Sequence, residues 1–274
     1  MIEAMQYTTD DDLRLKGKVW LPKSTPSGVV CLIHGFGEHI DRYEHVAKSM
    51  NDAGLALCGI DLRGHGMSEG KRGHTPSFDH LMRDIDQYIK GTRTAYPGLP
   101  IHLYGHSMGG NLAINYLLRF PHADITSAVI TSPWLRLRFD PPKIKVVLGK
   151  VMRNVYPKYT ESNNLDPNHL SRDKSIGEKY AADPLVNDKI TTEMYFAMTE
   201  AGEWAIANAK PFTIPVLITH GESDPITSPD ASREFASKAK TQYKRWPEMY
   251  HETHNEIGKE QVISEIIDWF KSPL

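Results

Sequence analysis

Short apolar segments alternate with longer amphipathic segments along most of the chain. The apolar segments span residues 29–33, 55–60, 101–104, 128–131, 215–219 and 243–246. Segments this short and this apolar are typical of parallel strands that are buried on both faces. Helical patterns lie between and after them, at residues 43–53, 78–96, 108–120, 229–240 and 255–271. This alternation predicts an α/β fold with a doubly wound, mostly parallel sheet.

The first 21 residues follow a different pattern. Extended segments at residues 3–9 and 13–21 flank three consecutive aspartates, Asp10, Asp11 and Asp12. Two extended segments around a short polar turn predict an antiparallel hairpin. We therefore expect the sheet to begin with an N-terminal antiparallel pair and to continue with parallel strands.

Residues 134–211 interrupt the alternation of strands and helices. The segment contains several Pro and Asn residues and no convincing strand, but helical apolar patterns occur at residues 144–155 and 191–209. A structureless connection of this length is improbable inside a compact domain. The sequence therefore predicts a core formed by residues 1–133 and 212–274, with a helical cap inserted at residues 134–211.

Composition and charge exclude several classes of protein. The chain has 32 Lys and Arg against 34 Asp and Glu, a formal charge of −2, so nucleic acid is not an expected partner. No apolar run approaches the roughly 18 residues that a membrane span needs, and the acidic start lacks the apolar core of a signal peptide. Cys31 and Cys58 lie in apolar runs and are expected to be buried free thiols. These features predict a cytoplasmic protein.

A serine lies between glycines where a predicted strand meets a predicted helix. Residues 105–109 read GHSMG, which fits the G-x-S-x-G pattern. In this context the serine occupies a tight turn at the carboxyl end of the strand, beside a helix N-terminus that favours negative charge. Ser107 is therefore the candidate nucleophile. The alternative is a serine that only caps the helix.

Two backbone amides are expected to donate hydrogen bonds to the oxyanion that forms when Ser107 attacks. His34-Gly35-Phe36-Gly37 follows the first predicted parallel strand. Hydrolases with the G-x-S-x-G turn take one oxyanion donor from the residue after the nucleophile and another from the loop after this strand. The N–H groups of Met108 and Phe36 are the predicted donors.

The catalytic acid and base should follow Ser107 in that order along the chain. Asp224 comes after the predicted strand at 215–219 and is the preferred acid, with Glu222 as the alternative. His251 and His254 both follow the last predicted strand, and their position alone leaves either one open as the base. A His-x-x-His pair also suggests metal, but an HExxH helix is missing and there are two cysteines, so no metal and no cofactor are expected.

Seven segments resemble the monoacylglycerol lipase family of α/β-hydrolases, in the serine aminopeptidase S33 and lysophospholipase-like group. They are HGFGEHIDRYEHVA (34–47), DLRGHGMSEGKRGH (61–74), YPGLP (96–100), GHSMGGNLAI (105–114), DPLV (183–186), HGESDPIT (220–227) and YHETHNE (250–256). The resemblance extends from residue 29 to about residue 270. It implies an α/β-hydrolase fold and cofactor-free hydrolysis of monoacylglycerol to fatty acid and glycerol through an acyl-enzyme.

The same resemblance implies roles for individual residues. YHETHNE matches a family segment in which the first histidine is the base, here His251, and the second, His254, binds the glycerol headgroup. The other matching headgroup positions are Glu38, Arg42, His106 and Tyr180. A salt bridge that braces the loop is the alternative for Glu38 and Arg42, and the two roles are compatible.

Other substrates and other functions fit parts of the same pattern. A lysophospholipase or a small-ester carboxylesterase would use the same triad, although Glu38 disfavours a phosphodiester through like-charge repulsion. A catalytically silent binding protein usually lacks a triad residue, and here none is missing. The sequence leaves acyl-chain length and oligomeric state open.

Basic residues flank the apolar positions of the first predicted cap helix. They are Lys143, Lys145, Lys150 and Arg153. A basic amphipathic helix is typical of proteins that dock peripherally on a membrane. A helix that only covers an active site has the same pattern. The expected partner is a monoacylglycerol or related lipid ester, and membrane contact through the cap is one of two interpretations.

Overall fold

The structure is a computed structural model that describes residues 1–272. The last two residues of the predicted core segment 212–274 therefore lie outside the described residues. In chain order the strands are β1 (Ile2–Thr8), β2 (Arg14–Trp20), β3 (Gly28–Ile33), β4 (Leu55–Ile60), β5 (Ile101–His106), β6 (Ser127–Thr131), β7 (Thr160–Ser162), β8 (Lys189–Thr191), β9 (Val216–Gly221) and β10 (Gln242–Trp246). The helices are α1 (Glu44–Asp52), α2 (Phe78–Ala95), α3 (Met108–Arg119), α4 (Lys143–Val155), α5 (Lys174–Ala182), α6 (Thr192–Ala207), α7 (Pro229–Ala239) and α8 (Lys259–Lys271).

Eight strands form one twisted sheet in the order β1-β2-β4-β3-β5-β6-β9-β10. β1 pairs with β2 and β2 with β4 in antiparallel register, and the remaining neighbours are parallel. The predicted fold class is therefore confirmed, including the N-terminal hairpin.

Alternate residues of the central strands contribute to two separate apolar layers. Val29, Cys31 and Ile33 pack into the layer beneath α2, α3, α6 and α7. Val30 and Leu32 pack into the opposite layer, beneath α1 and α8. Both faces of β3 are buried, which is why its sequence is apolar without alternation. Cys31 and Cys58 are buried free thiols, as expected.

Several elements end at residues other than those predicted. β5 and β9 continue for two residues beyond the apolar segments, to His106 and Gly221. They continue because neighbouring strands supply backbone partners, for example in the register pair His106 and Thr131, whatever the side-chain polarity. α8 begins at Lys259 because Gly258, with φ 87°, separates it from a short 3-10 turn at Thr253–Asn255.

The segment between β6 and β9 is more structured than the sequence suggested. The expectation of no strand here was wrong, because β7 and β8 form a short antiparallel ribbon. Three-residue strands are too short to show a period in the sequence. Helix α5 was also missed, although the side chain of Asp173 caps it by accepting a hydrogen bond from Ser175. The division into a core and an inserted cap stays a prediction.

Within residues 1–272, every helix is too short or too polar to cross a lipid bilayer.

Candidate active site

Ser107 occupies a strained turn between β5 and α3. Its φ of 53° and ψ of −116° lie in a region that non-glycine residues rarely adopt, at a typical cost of about 1–3 kcal/mol. Two backbone hydrogen bonds hold the turn, from Ser107 N–H to Thr131 O at 3.0 Å and from Trp134 N–H to Ser107 O at 2.9 Å. A Cβ on Gly109 would lie 2.0 Å from Ile33 O, so α3 approaches β3 this closely only with glycine there. The G-x-S-x-G pattern therefore has a steric basis.

The side chains of Ser107, His251 and Asp224 form a continuous chain of hydrogen bonds. Nε2 of His251 lies 2.9 Å from Oγ of Ser107, and its Nδ1 lies 2.7 Å from Oδ2 of Asp224. The carboxyl ends of β5, β9 and β10 bring these residues together from positions up to 144 residues apart. All three are buried. The sequence alternative Glu222 instead pairs with Arg245 on the surface, at 2.8 Å.

A dense set of donors surrounds the carboxylate of Asp224. Oδ2 lies 2.9 Å from Nε2 of His220 and accepts from Thr227 Oγ1 at 2.8 Å, while Oδ1 accepts from the N–H groups of Ile226 and Thr227. Burial alone would raise the pKa of Asp224, but the charge of His251 and these hydrogen bonds lower it far below its usual value. Asp224 is therefore ionised at neutral pH.

The same interaction acts on His251 in the opposite direction. Burial alone would lower the pKa of His251, whereas the charge and hydrogen bond of Asp224 outweigh burial and raise it. A raised pKa means that the arrangement stabilises a protonated imidazole, the form that a base takes after it has accepted a proton.

The two predicted oxyanion donors have no acceptor among residues 1–272. Neither the N–H of Phe36 nor that of Met108 takes part in the backbone hydrogen bonds of this region. Met108 is the first residue of α3, so its N–H lies at the positive end of the helix dipole. A Cβ on Gly35 would lie 3.2 Å from Cβ of Ser107, which shows how closely the loop that carries Phe36 passes the serine. Two free amides beside a serine are suited to binding an oxyanion.

Glu38 and Arg42 form an ion pair, and the structure adds Glu252 to it. Nη1 of Arg42 lies 2.6 Å from Glu38 and 2.6 Å from Glu252, and its Nη2 lies 2.7 Å from Glu252. Glu38 also accepts hydrogen bonds from Tyr43 Oη and from the N–H of Gly35. Sequence reasoning missed Glu252, and the available signal was its position directly after the candidate base.

Not all of the predicted headgroup residues line the cavity above Ser107. Glu38, His106 and Tyr180 line the cavity above Ser107, as does Glu252, whereas Arg42 and His254 are not among the lining residues. The ring of His254 is fully buried, stacked on Tyr43 with centroids 4.8 Å apart and edge-on to His106 at 4.7 Å. The roles of these residues stay predictions.

The cavity above Ser107 has a volume of about 400 Å³ and a mostly apolar lining. Glu38, His106, Tyr180 and Glu252 line the part of the cavity beside His251, which we call its polar end. The segment between β6 and β9 lines the cavity with both apolar and polar side chains. The apolar ones include Leu137, Phe139, Val146, Leu165, Ile190, Tyr195 and Phe196, and the polar ones include Glu161, Asn163, Asp166 and His169. A cavity of this kind fits a molecule with a long apolar part and a small hydroxylated part.

Across residues 1–272, no group of three or more His, Cys, Asp or Glu side chains is arranged to hold a metal ion.

Comparison with known proteins gives consistent matches along most of the chain. The family model for serine aminopeptidase, S33, matches residues 24–258. The chain is 37% identical, over 96% of its length, to an abhydrolase domain-containing protein of Dictyostelium discoideum, of which it spans 28%. It is 32% identical to a monoacylglycerol lipase of Mycolicibacterium smegmatis, over 96% of this chain and 94% of the relative.

A solved structure extends the likeness to three dimensions. The crystal structure of Paleococcus ferrophilus monoacylglycerol lipase superposes with a TM-score of 0.83 at 32% identity and covers 98% of both chains. The resemblance noted in the sequence and the α/β-hydrolase fold that it implied are thereby confirmed. This chain belongs to the serine aminopeptidase S33 family and, within it, to the monoacylglycerol lipases of the α/β-hydrolase superfamily.

Proposed function

We propose that the protein hydrolyses monoacylglycerols to fatty acid and glycerol, with Ser107, His251 and Asp224 as the catalytic triad. The observation that carries the proposal is the hydrogen-bonded chain through these three residues, at 2.9 and 2.7 Å, beneath a mostly apolar cavity with a polar end. The two similar monoacylglycerol lipases support the substrate class.

Acylation begins at Ser107. Its Oγ attacks the ester carbonyl carbon while Nε2 of His251 accepts the hydroxyl proton, and ionised Asp224 stabilises the resulting imidazolium. The N–H groups of Phe36 and Met108 donate to the oxyanion of the tetrahedral intermediate. Protonated His251 then gives its proton to the leaving glycerol oxygen, and the acyl group stays on Ser107.

Deacylation repeats these steps with water. His251 accepts a proton from a water molecule, whose oxygen attacks the acyl carbonyl carbon. Collapse of the second tetrahedral intermediate breaks the bond to Ser107 Oγ, which recovers its proton from His251. Fatty acid leaves, and the enzyme returns to its starting state without a cofactor.

The glycerol hydroxyls occupy the polar end of the cavity in this proposal. Glu38, His106 and Tyr180 contact them directly, since these side chains line that end. Arg42 orients Glu38 from behind, and His254 holds His106 by edge-on packing. A small number of fixed polar groups in an otherwise apolar cavity is the usual way to select a headgroup.

The proposal is tested by comparing two substrates with wild type and Ser107→Ala. We expect fatty-acid release from monooleoylglycerol to exceed release from lysophosphatidylcholine, and to be lost in the variant. Preference for the lysolipid would replace the proposed substrate while keeping the triad. Activity on neither substrate, with no labelling of Ser107 by a fluorophosphonate, would contradict hydrolysis altogether.

We also propose that α4 docks on the lipid surface that holds the substrate. No residue of α4 is buried, and its exposed apolar side chains lie at helical spacing: Ile144, Val147, Leu148, Val151 and Val155. Lys143, Lys145 and Lys150 are exposed on the same helix. Apolar residues combined with lysines are suited to an anionic membrane surface.

Replacing Leu148 and Val151 with Glu is expected to weaken binding to anionic vesicles at least about tenfold. Each substitution removes an apolar side chain that would be buried in the membrane and adds a negative charge that anionic lipids repel. Co-sedimentation with vesicles measures the effect. Met67→Glu is the control, because Met67 is exposed to a similar extent elsewhere on the surface. Equal binding by all variants would contradict the role of α4.

A further inference from the structure

The guanidinium of Arg42 is already paired with carboxylates behind the polar end of the cavity. Glu252 binds it through two parallel hydrogen bonds, to Nη1 at 2.6 Å and to Nη2 at 2.7 Å. Glu38 shares Nη1 at 2.6 Å, and the ring of Tyr180 covers the guanidinium at 4.8 Å. A two-point contact of this kind is the strongest pairing that a carboxylate makes with arginine. Arg42 is therefore neutralised within the protein.

The carboxylates of Glu38 and Glu252, and not the guanidinium of Arg42, line the polar end of the cavity. Both glutamates are only 2% exposed, so water screens their charge weakly. Carboxylate oxygens accept hydrogen bonds from hydroxyl groups and repel anions. The polar end formed by these two glutamates therefore suits a neutral, hydroxylated leaving group.

The pKa values of Glu38 and Glu252 are shifted in opposite directions. Burial acts to raise the pKa of both groups. The charge and hydrogen bonds of Arg42 outweigh burial at Glu252 and lower its pKa below the usual value, whereas the pKa of Glu38 stays raised, in part because Glu252 is negative. Glu252 is therefore the counter-ion of Arg42 at neutral pH, and Glu38 is an additional acceptor.

We propose that Glu252 is a specificity-determining residue that confines the leaving group to neutral polyols by neutralising Arg42. This inference rests on the proposed function and names the charge of the headgroup that the site accepts. Without the Glu252 carboxylate, Arg42 would keep one partner, Glu38, and its positive charge behind the polar end of the cavity would be compensated less completely. A positive charge at that depth attracts phosphate and carboxylate groups, because water screens it weakly. Glu252 thus excludes phosphorylated glycerol esters.

The test compares 1-oleoylglycerol with its 3-phosphate, two substrates that differ only in the charged group. Wild type is expected to prefer the neutral ester. In Glu252→Gln, which keeps the shape and removes the charge, the kcat/KM ratio of neutral to phosphorylated ester should fall by at least about tenfold. Hydrolysis of p-nitrophenyl acetate, which has no polyol, reports whether the triad is intact in the variant.

Two further variants separate this effect from general damage. Glu203→Gln breaks a similar two-point contact, with Arg136 on the exposed surface, and should leave the ratio unchanged. The double variant Arg42→Gln/Glu252→Gln lacks the cation as well and should lose the gain on the phosphorylated ester. An unchanged ratio in Glu252→Gln, or a gain that persists in the double variant, would overturn the proposal.

A measurement on wild type keeps the inference testable if Glu252→Gln does not fold. Glycerol should inhibit p-nitrophenyl acetate hydrolysis at least about ten times more strongly than glycerol 3-phosphate does. Equal inhibition by the two would overturn the inference. Because this assay does not use a glyceride, an enzyme that cleaves p-nitrophenyl acetate but no monoacylglycerol would overturn the proposed function separately.

Discussion

At Ser107 a strained backbone is maintained because neighbouring residues leave it no alternative. The turn is fixed on one side by Thr131 O and on the other by Trp134 N–H, and α3 is pressed against β3 at Gly109. Strain of this kind persists when the surroundings over-determine it. It keeps Oγ within 2.9 Å of His251, so local conformation and chemistry are linked at this residue.

Gly109→Ala should destabilise the protein by about 3 kcal/mol or more, because a Cβ would lie 2.0 Å from Ile33 O. Urea unfolding measures the loss. Gly98→Ala is the matched control: a Cβ there meets no atom within 4 Å, and its φ of 79° predicts a cost of only about 1 kcal/mol. Equal losses in the two variants would contradict the steric argument.

The pH profile of kcat/KM should fall on the acid side, because His251 must be neutral to accept the serine proton. Its pKa is raised by Asp224, so the midpoint is expected above the usual pKa of histidine, near 6.5. Asp224→Asn should lower both the rate and that midpoint, since the charge that raises the pKa is removed. A midpoint that stays unchanged in Asp224→Asn would contradict the coupling between the two residues.

At the level of elements, α4 is held to the rest of the molecule mainly along one side. Arg153 donates to Glu193 at 2.8 Å and to Glu200 at 2.6 Å, and both acceptors belong to α6. Close packing at Gly149, where a Cβ would lie 3.1 Å from the ring of Phe196, adds a second contact. Because α4 has few buried contacts, it is expected to open locally before the rest of the molecule unfolds.

Arg153→Ala should increase amide exchange across residues 143–155 while changing the melting temperature little, because the contact is local and partly exposed. Hydrogen exchange followed by mass spectrometry measures this. Lys150→Ala is the control, since Lys150 is exposed on the same helix. Equal exchange in the two variants would show that Arg153 does not anchor α4.

Across the whole molecule, buried histidines link stability to pH. Burial is the main cause that lowers the pKa of His34, His65 and His106, each to about 3. The unfolded chain takes up these protons near pH 6.5 and the folded protein does not, so the unfolded state binds more protons below that pH. This contribution to stability is therefore complete above about pH 6.5 and is lost as the pH falls toward 3.

Between pH 6.5 and 5.5 these three histidines should together reduce the free energy of unfolding by roughly 2–3 kcal/mol. Urea unfolding at pH 7.5, 6.5 and 5.5 measures the trend. His65→Gln should make the dependence shallower by about one proton. Stability that stays constant over this range would contradict the neutral state of the buried histidines.

Much of the fold was predictable because its signals are local. The unbroken apolar segments that became β3, β4 and β5 are short enough to be strands and apolar enough to be buried, and no long-range contact is needed to see this. The G-x-S-x-G turn is likewise recognisable from neighbouring sequence alone, since a strand, a tight turn and a helix follow one another along the chain. The ribbon β7–β8 and helix α5 were missed because they depend on pairing partners and caps more than on pattern.

The sequence by itself determined the strand–helix order, the position of the strained serine and the candidates for acid and base. Only the tertiary structure brought Asp224 and His251 to Ser107 and left Glu222 on the surface, because those choices depend on where the ends of β9 and β10 meet β5. It also decided that Arg42 is neutralised and that Glu252 faces the cavity. Charge pairing between residues 210 positions apart leaves no local pattern, since it arises from folding alone.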